Sequence, residues 1–152
     1  MDKYSKALKD FTDAIHNRLH LNSAPDCWYH QGLCHANRGN HKDAVVAFTQ
    51  AIAKAPGKTN YIHERAKSYQ MCGQYAEAVQ DFSVVITRQT VNAHAYFRRA
   101  FAHKALKRYD DAAADFEKAK ELEPNNPALI VNYKRIHDTE CIELCKAGEE
   151  DQ

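Results

Sequence analysis

The 152 residues predict an all-α chain, an α-solenoid of antiparallel helix pairs, and three observations carry that prediction. One skeleton recurs at a fixed offset of 34 residues: Trp28, Gly32, Ala44, Phe48, Ala51 and Pro56; then Ile62, Ala66, Ala78, Phe82 and Val85; then Tyr96, Ala100, Ala112, Phe116, Ala119 and Pro124. Within each copy the apolar residues return every three or four positions, which is the helical period. Glycine or proline interrupts the periodic stretches at Gly39, Pro56, Gly57, Gly73 and Pro124, where helices end. One helix pair of this length cannot bury its apolar stripe alone, so successive copies must stack and share a core between neighbours.

The elements follow in order. Residues 3–17 read as half a unit: Tyr4, Ala7, Phe11, Ala14 and Ile15 reproduce the second-helix pattern of Tyr75, Ala78, Phe82, Val85 and Ile86, with no first helix before them. Such an orphan helix leaves an apolar strip, which predicts either a piece of a longer repeat array or self-association through that strip. The first full unit, residues 25–58, sets Trp28, Gln31, Gly32 and His35 on one face of a helix that stops near Gly39. Its second helix opens near His41, carries Ala44, Val45, Phe48, Ala51 and Ile52, and breaks at Pro56 and Gly57.

The second unit, residues 59–92, turns at Gly73. The third, residues 93–126, has Asn92 as its N-cap and Pro124 as its stop. Asn126 and Pro127 open a final helix over 127–147, bearing Leu129, Ile130, Tyr133, Ile136, Ile142 and Leu144, expected to act as a polar-faced closing element. Gly32, Ala66 and Ala100 on the first helices, and Ala44, Ala78 and Ala112 on the second, leave room for close backbone approach. Phe48, Phe82 and Phe116 are expected to fill the wedge toward the next copy.

Composition narrows the function classes. A hydrophobic fraction of 44% with 27% charged residues predicts a soluble, cytoplasmic protein, and no window resembles a membrane helix or a signal peptide. The net charge of +1 supplies no global field toward nucleic acid or an anionic membrane. Five cysteines, Cys27, Cys34, Cys72, Cys141 and Cys145, make no disulfide framework and suit a reducing compartment.

The skeleton resembles the tetratricopeptide repeat, whose signature of Trp-x2-Leu-Gly-x2-Tyr, Ala-x3-Phe and Pro stands here as Trp28, Gln31, Gly32, His35, Ala44, Phe48 and Pro56. Gln31, Arg65 and Arg99 replace the usual Leu, His35 and His103 the usual Tyr, and Thr90 the usual Pro. Through the resemblance, the first helices line a concave groove that holds a peptide or another protein, so the implied role is an adaptor or scaffold. The implied groove residues are Tyr29, His30, Leu33, His63, Glu64, Lys67, His94, Phe97, Arg98, Phe101 and Arg135, in rows that also contain Asp26 and Asn60. Tyr29, Leu33, Phe97 and Phe101 are expected to offer apolar and aromatic anchors that the core does not require. Glu64 and Arg98 share a row and could pair with each other.

One branch of the family clamps the terminal carboxylate of chaperones with Lys and Asn in one copy, Asn in the next, and Lys and Arg in the third. Those positions carry Tyr29, Leu33, Glu64, His94 and Arg98, and only Arg98 is retained. A glutamate at the centre repels a carboxylate, so the resemblance does not extend to that activity. A partner with apolar or aromatic anchors fits better; the alternative is a structural, self-assembling segment of a longer array.

Enzymatic chemistry is not expected. Cys34 and His35 are adjacent on a helix and point about 100 degrees apart, so they do not form a nucleophile and base pair. His137, Cys141 and Cys145 could supply three zinc ligands at four-residue steps, but no fourth is evident, and buried thiols are the simpler reading. No cofactor, no small-molecule substrate and no membrane partner are implied. Lys67, Arg98, Phe101, Lys104 and Arg135 form too thin a basic and aromatic stripe to favour RNA over protein.

Overall fold

The computed structural model describes residues 3–16 and 24–127. Among these, seven helices occur and no strand: α1 (Lys3–His16), α2 (Ala24–Asn37), α3 (His41–Lys54), α4 (Thr59–Met71), α5 (Tyr75–Arg88), α6 (Ala93–Ala105) and α7 (Tyr109–Leu122). They fall into two compact units, divided after Arg88. The expected closing helix over 127–147 lies outside the described residues from 128 onward.

Unit 1 holds α1 to α5, and each helix packs chiefly on the next in the chain. The half unit α1 lies on α2, where Phe11 stacks on His30 at 5.5 Å. The core of unit 1 is built from the skeleton: Ala44, Phe48, Ala51, Ala66, Ala78, Phe82 and Val85 are all fully buried. Unit 2 pairs α6 with α7 around Ala100, Ala112 and Phe116.

The core phenylalanines sit within the helix pairs. Each ring packs on the first helix of its own pair: Phe48 beneath Gly32 and against Tyr29, Phe82 against His63, Phe116 against Phe97 and Phe101. The reason is steric. The ring is too large to pass between two backbones in contact unless the facing residue is Gly or Ala. A Cβ added at Gly32 would stand 2.5 Å from Phe48 Cε1.

All three inner turns close in the same way. Asn40 N–H bonds to His35 O, Gln74 to Tyr69 O and Arg108 to His103 O, each at 2.9 Å, after a residue with positive φ. That is the six-to-one bond of a Schellman turn. Gly39 and Gly73 supply the left-handed residue without steric cost, whereas the third turn sets Lys107 there at φ 59°. Asn92 does cap α6, its side chain accepting from Ala95 N–H at 3.0 Å.

The sequence signal that went unused lies in the replaced leucines. Arg65 makes a two-pronged ion pair with Asp81, Nε to Oδ2 at 2.7 Å and Nη2 to Oδ1 at 2.8 Å. Arg99 repeats it one unit later with Asp115, at 2.7 and 2.6 Å. Both join the first helix of a pair to the second, with the aspartates buried. Arg65 also donates to Thr49 Oγ1 at 3.3 Å, tying α4 back to α3. In the first full pair the same two positions hold Gln31 and Ala47, so this bond has no counterpart there.

His35 and His103 occupy the usual tyrosine position, His35 with Asp43 at 4.0 Å and His103 with both Asp115 and Asp111 at 3.9 Å. Burial dominates and lowers both imidazoles below their ordinary value, although these aspartates pull the other way. The neutral forms are therefore favoured in the folded chain.

Three outcomes test this packing. Gly32→Ala should lose about 1–3 kcal/mol in urea unfolding because Phe48 cannot yield enough space, while Gly57→Ala, whose new Cβ meets nothing within 4 Å, should be near neutral. Asp115→Leu alone strands Arg99 in a mostly buried site and should cost about 2–3 kcal/mol, most of it recovered in the R99L/D115L double variant. The stability tied to the two histidines is complete above an unfolded-state value of about 6.5 and is lost as the pH falls through their lowered folded-state values. The variant H35Y/H103Y, which copies Tyr69, should therefore show a flatter fall of the urea midpoint on acidification; an equal fall places the acid sensitivity elsewhere.

Candidate protein-binding faces

In unit 1 the first helices α2 and α4 bring Tyr29, His30, Leu33, His63, Glu64 and Lys67 to neighbouring turns. Tyr29 is the centre. Its ring stacks on Tyr61 at 4.6 Å with 23° between planes, leans on Phe48 at 5.8 Å, and meets His30 edge-on at 5.4 Å. His30 is exposed, whereas Tyr29, Leu33, His63, Glu64 and Lys67 are half-buried.

Tyr61 is the residue the sequence reading missed. It is 1% exposed and its hydroxyl donates to Asp26 Oδ1, so it bridges α4 to α2. Burial first, and the Asp26 bond second, hold the Tyr61 hydroxyl far above its usual range. A signal did exist: position three of the repeat carries Cys27, Tyr61 and Ala95, and only one of those side chains can span two first helices.

The Tyr29 hydroxyl is raised by burial and then by the nearby Glu64 carboxylate, and a side-chain hydrogen bond with Asn60 partly offsets both. Glu64 accepts from Lys67 Nζ at 3.1 and 2.8 Å on its own helix, with His63 Nδ1 3.9 Å away. An exposed carboxylate and a half-buried one thus flank a pair of stacked phenol rings.

Unit 2 presents His94, Phe97, Arg98 and Phe101 on α6. His94 is exposed and the other three are half-buried. Phe97 and Phe101 meet edge-on at 5.0 Å, and both touch Phe116 edge-on at 5.5 Å. The expectation that Tyr29, Phe97 and Phe101 are surplus to the core is therefore corrected: each rests on its unit's core phenylalanine and contributes packing as well as surface. Arg135 lies outside the described residues.

The remaining chemistry is quiet. Burial pushes the Cys34 thiol up, the opposite of what an activated nucleophile needs. Among the described residues no three His, Cys, Asp or Glu side chains converge on one point, and His137, Cys141 and Cys145 lie outside them. No described helix is long and apolar enough to cross a membrane.

Models of the tetratricopeptide repeat match residues 25–58 and 93–126. The TPR domain of Arabidopsis OM64 is 30% identical, with 76% of this chain and 96% of that domain superposed at a TM-score of 0.72. The chain belongs to the tetratricopeptide-repeat family. Its fold class is accordingly the all-α solenoid that the 34-residue spacing predicts. The co-chaperone cns1 of Schizosaccharomyces pombe, described as an Hsp70/Hsp90 co-chaperone, is 27% identical over 150 residues, covering 88% of this chain and 42% of that protein. The second TPR domain of human RPAP3, solved in complex with the HSP70 peptide SGPTIEEVD, is 25% identical, with 74% of this chain and 98% of that domain aligned at a TM-score of 0.69. The chain spans less than half the length of the curated relatives it matches.

Proposed function

We propose that this tetratricopeptide-repeat chain is a protein-interaction adaptor whose first-helix faces take up a peptide or segment of another protein through apolar and aromatic anchors. Membership of the family and the kinship with co-chaperone and peptide-binding domains support the adaptor role. The aromatic, half-exposed character of Tyr29 on one unit and of Phe97 and Phe101 on the other supports the anchor chemistry, because large rigid side chains give contact area at small entropic cost.

The finer reading is that the faces do not clamp a terminal carboxylate, and one observation carries it. At the positions where a clamp needs donors, Tyr29 is committed to its stack with Tyr61, and Glu64 presents a carboxylate. Leu33 adds no donor and His94 replaces a lysine. Against this stands the RPAP3 domain, whose HSP70 peptide ends in EEVD. Arg98 is the retained clamp position, and one guanidinium does not replace the several donors of a clamp. Glu64 works against an acidic peptide as well, since like charges brought together at an interface oppose binding.

Two measurements check the proposal. A photo-crosslinking amino acid placed at Asn60 or His94, both exposed on first helices, should join partner proteins, and the same probe at Gln50 or Gln80, exposed on second helices, should not. Equal capture from both sets removes the first-helix faces as the binding site. In anisotropy titrations, the peptide SGPTIEEVD should bind no better as a free acid than as its C-terminal amide; a clear preference for the acid would restore the clamp.

A further inference from the structure

Among the clamp positions of unit 1, Glu64 carries a charge of the opposite sign and Tyr29 and Leu33 carry none. Asp26, one turn before Tyr29 on α2, accepts the Tyr61 hydroxyl through Oδ1 and keeps Oδ2 as an acceptor on an exposed residue. Asn60 and Glu64, both on α4, lie beside the hydroxyl of Tyr29, whose ring stacks on that of Tyr61. The α2 and α4 face thus carries two carboxylates, one ammonium, Lys67, and two imidazoles, His30 and His63, around two stacked phenol rings.

Ring quadrupoles and carboxylates act in the same direction, since both attract a cation and repel an anion. The Glu64–Lys67 pair does not close the site. It is an i,i+3 contact with Lys67 35% exposed, weakly held and readily exchanged for an incoming cation. Asp26 is better fixed, because the buried Tyr61 holds it in place and its orientation is settled before any partner arrives.

We propose, resting on the interaction reading above, that this face of unit 1 selects a segment of another protein carrying a Lys or Arg beside an apolar residue. The cation sits next to the Tyr29 ring with Asp26 and Glu64 as its counter-ions, and the apolar neighbour packs toward Leu33. Selection against acidic segments follows from the same charges.

The test uses the intact chain and a phage-displayed library of random 12-residue peptides, followed by anisotropy titration of a fluorescein-labelled copy of the most enriched sequence. Enriched peptides should place Lys or Arg within three residues of Leu, Phe or Trp. Their affinity should fall about 10-fold in the D26N/E64Q variant and decline with added NaCl. Both substitutions are isosteric, and the carboxamide oxygen that D26N introduces can still accept from Tyr61; an unchanged melting temperature shows that the fold is intact. Replacing the peptide's cation by norleucine should cost the same factor on the wild-type chain and nothing more on the variant.

Additive losses in that cycle overturn the assignment of Asp26 and Glu64 as counter-ions. Enrichment of uncharged or acidic peptides whose binding is blocked by a bulky probe at Asn60 overturns cation selection and leaves the adaptor reading standing. No enrichment, or peptides indifferent to the Asn60 probe, overturns cation selection by this face, whereas the adaptor reading falls only if crosslinking from Asn60 and His94 is no better than from Gln50 and Gln80.

Discussion

Backbone contact between the first and second helix of each pair is the constraint on which the rest depends. Gly32, Ala66 and Ala100 allow it from one side and Ala44, Ala78 and Ala112 from the other, with Phe48, Phe82 and Phe116 closing the remaining space. Because interiors are packed like crystals, a missing Cβ on one helix and a ring on the next are two halves of one requirement. Everything on the first-helix faces inherits its position from this crossing. Tyr29 touches Phe48, and Phe97 and Phe101 touch Phe116, so the candidate anchors are held by the same rings that fill the core.

Polar bonds add direction to a packing that apolar contact alone leaves free to slide. The paired guanidinium and carboxylate of Arg65 with Asp81, repeated in Arg99 with Asp115, fix the rotation of one helix against its mate through two parallel bonds. Such pairs add less to stability than their geometry suggests, since two charges must be stripped of water. Their recurrence at an identical spacing in two units argues for register. The first full pair does without it, and there Gly32 leaves no room for a Cβ beside Phe48.

The first-helix face of unit 1 shows how a repeat scaffold changes its chemistry without changing its fold. Leu33 and Glu64 lie outside the alanine and phenylalanine skeleton, and Tyr29 only leans on it through Phe48, so the charge of this face can vary while the helix crossing is kept. The cost falls on the face itself, where Tyr61 and Asp26 tie α4 to α2 and turn a row of exposed positions into an ordered aromatic floor.

Helix existence, the inner turns at Gly39 and Gly73, the N-cap at Asn92 and the small-residue crossing were legible from spacing, because each depends on residues close in sequence or on a period that the chain repeats. The seat of Phe48 beneath Gly32, the double duty of Phe97 and Phe101, and the Arg65 and Arg99 pairs were not. Those depend on how a side chain on one helix meets another 15 or more residues away, and the residue types alone admit several partners. Lys107 illustrates the limit most simply: its sequence carries no mark of a left-handed residue, and only closure of the turn onto His103 forces it there. The sequence by itself determined which faces exist and what residues they bear. The tertiary structure decided which of those residues are spent on holding the helices together, because burial and partnership are properties of the space between helices and not of either helix alone.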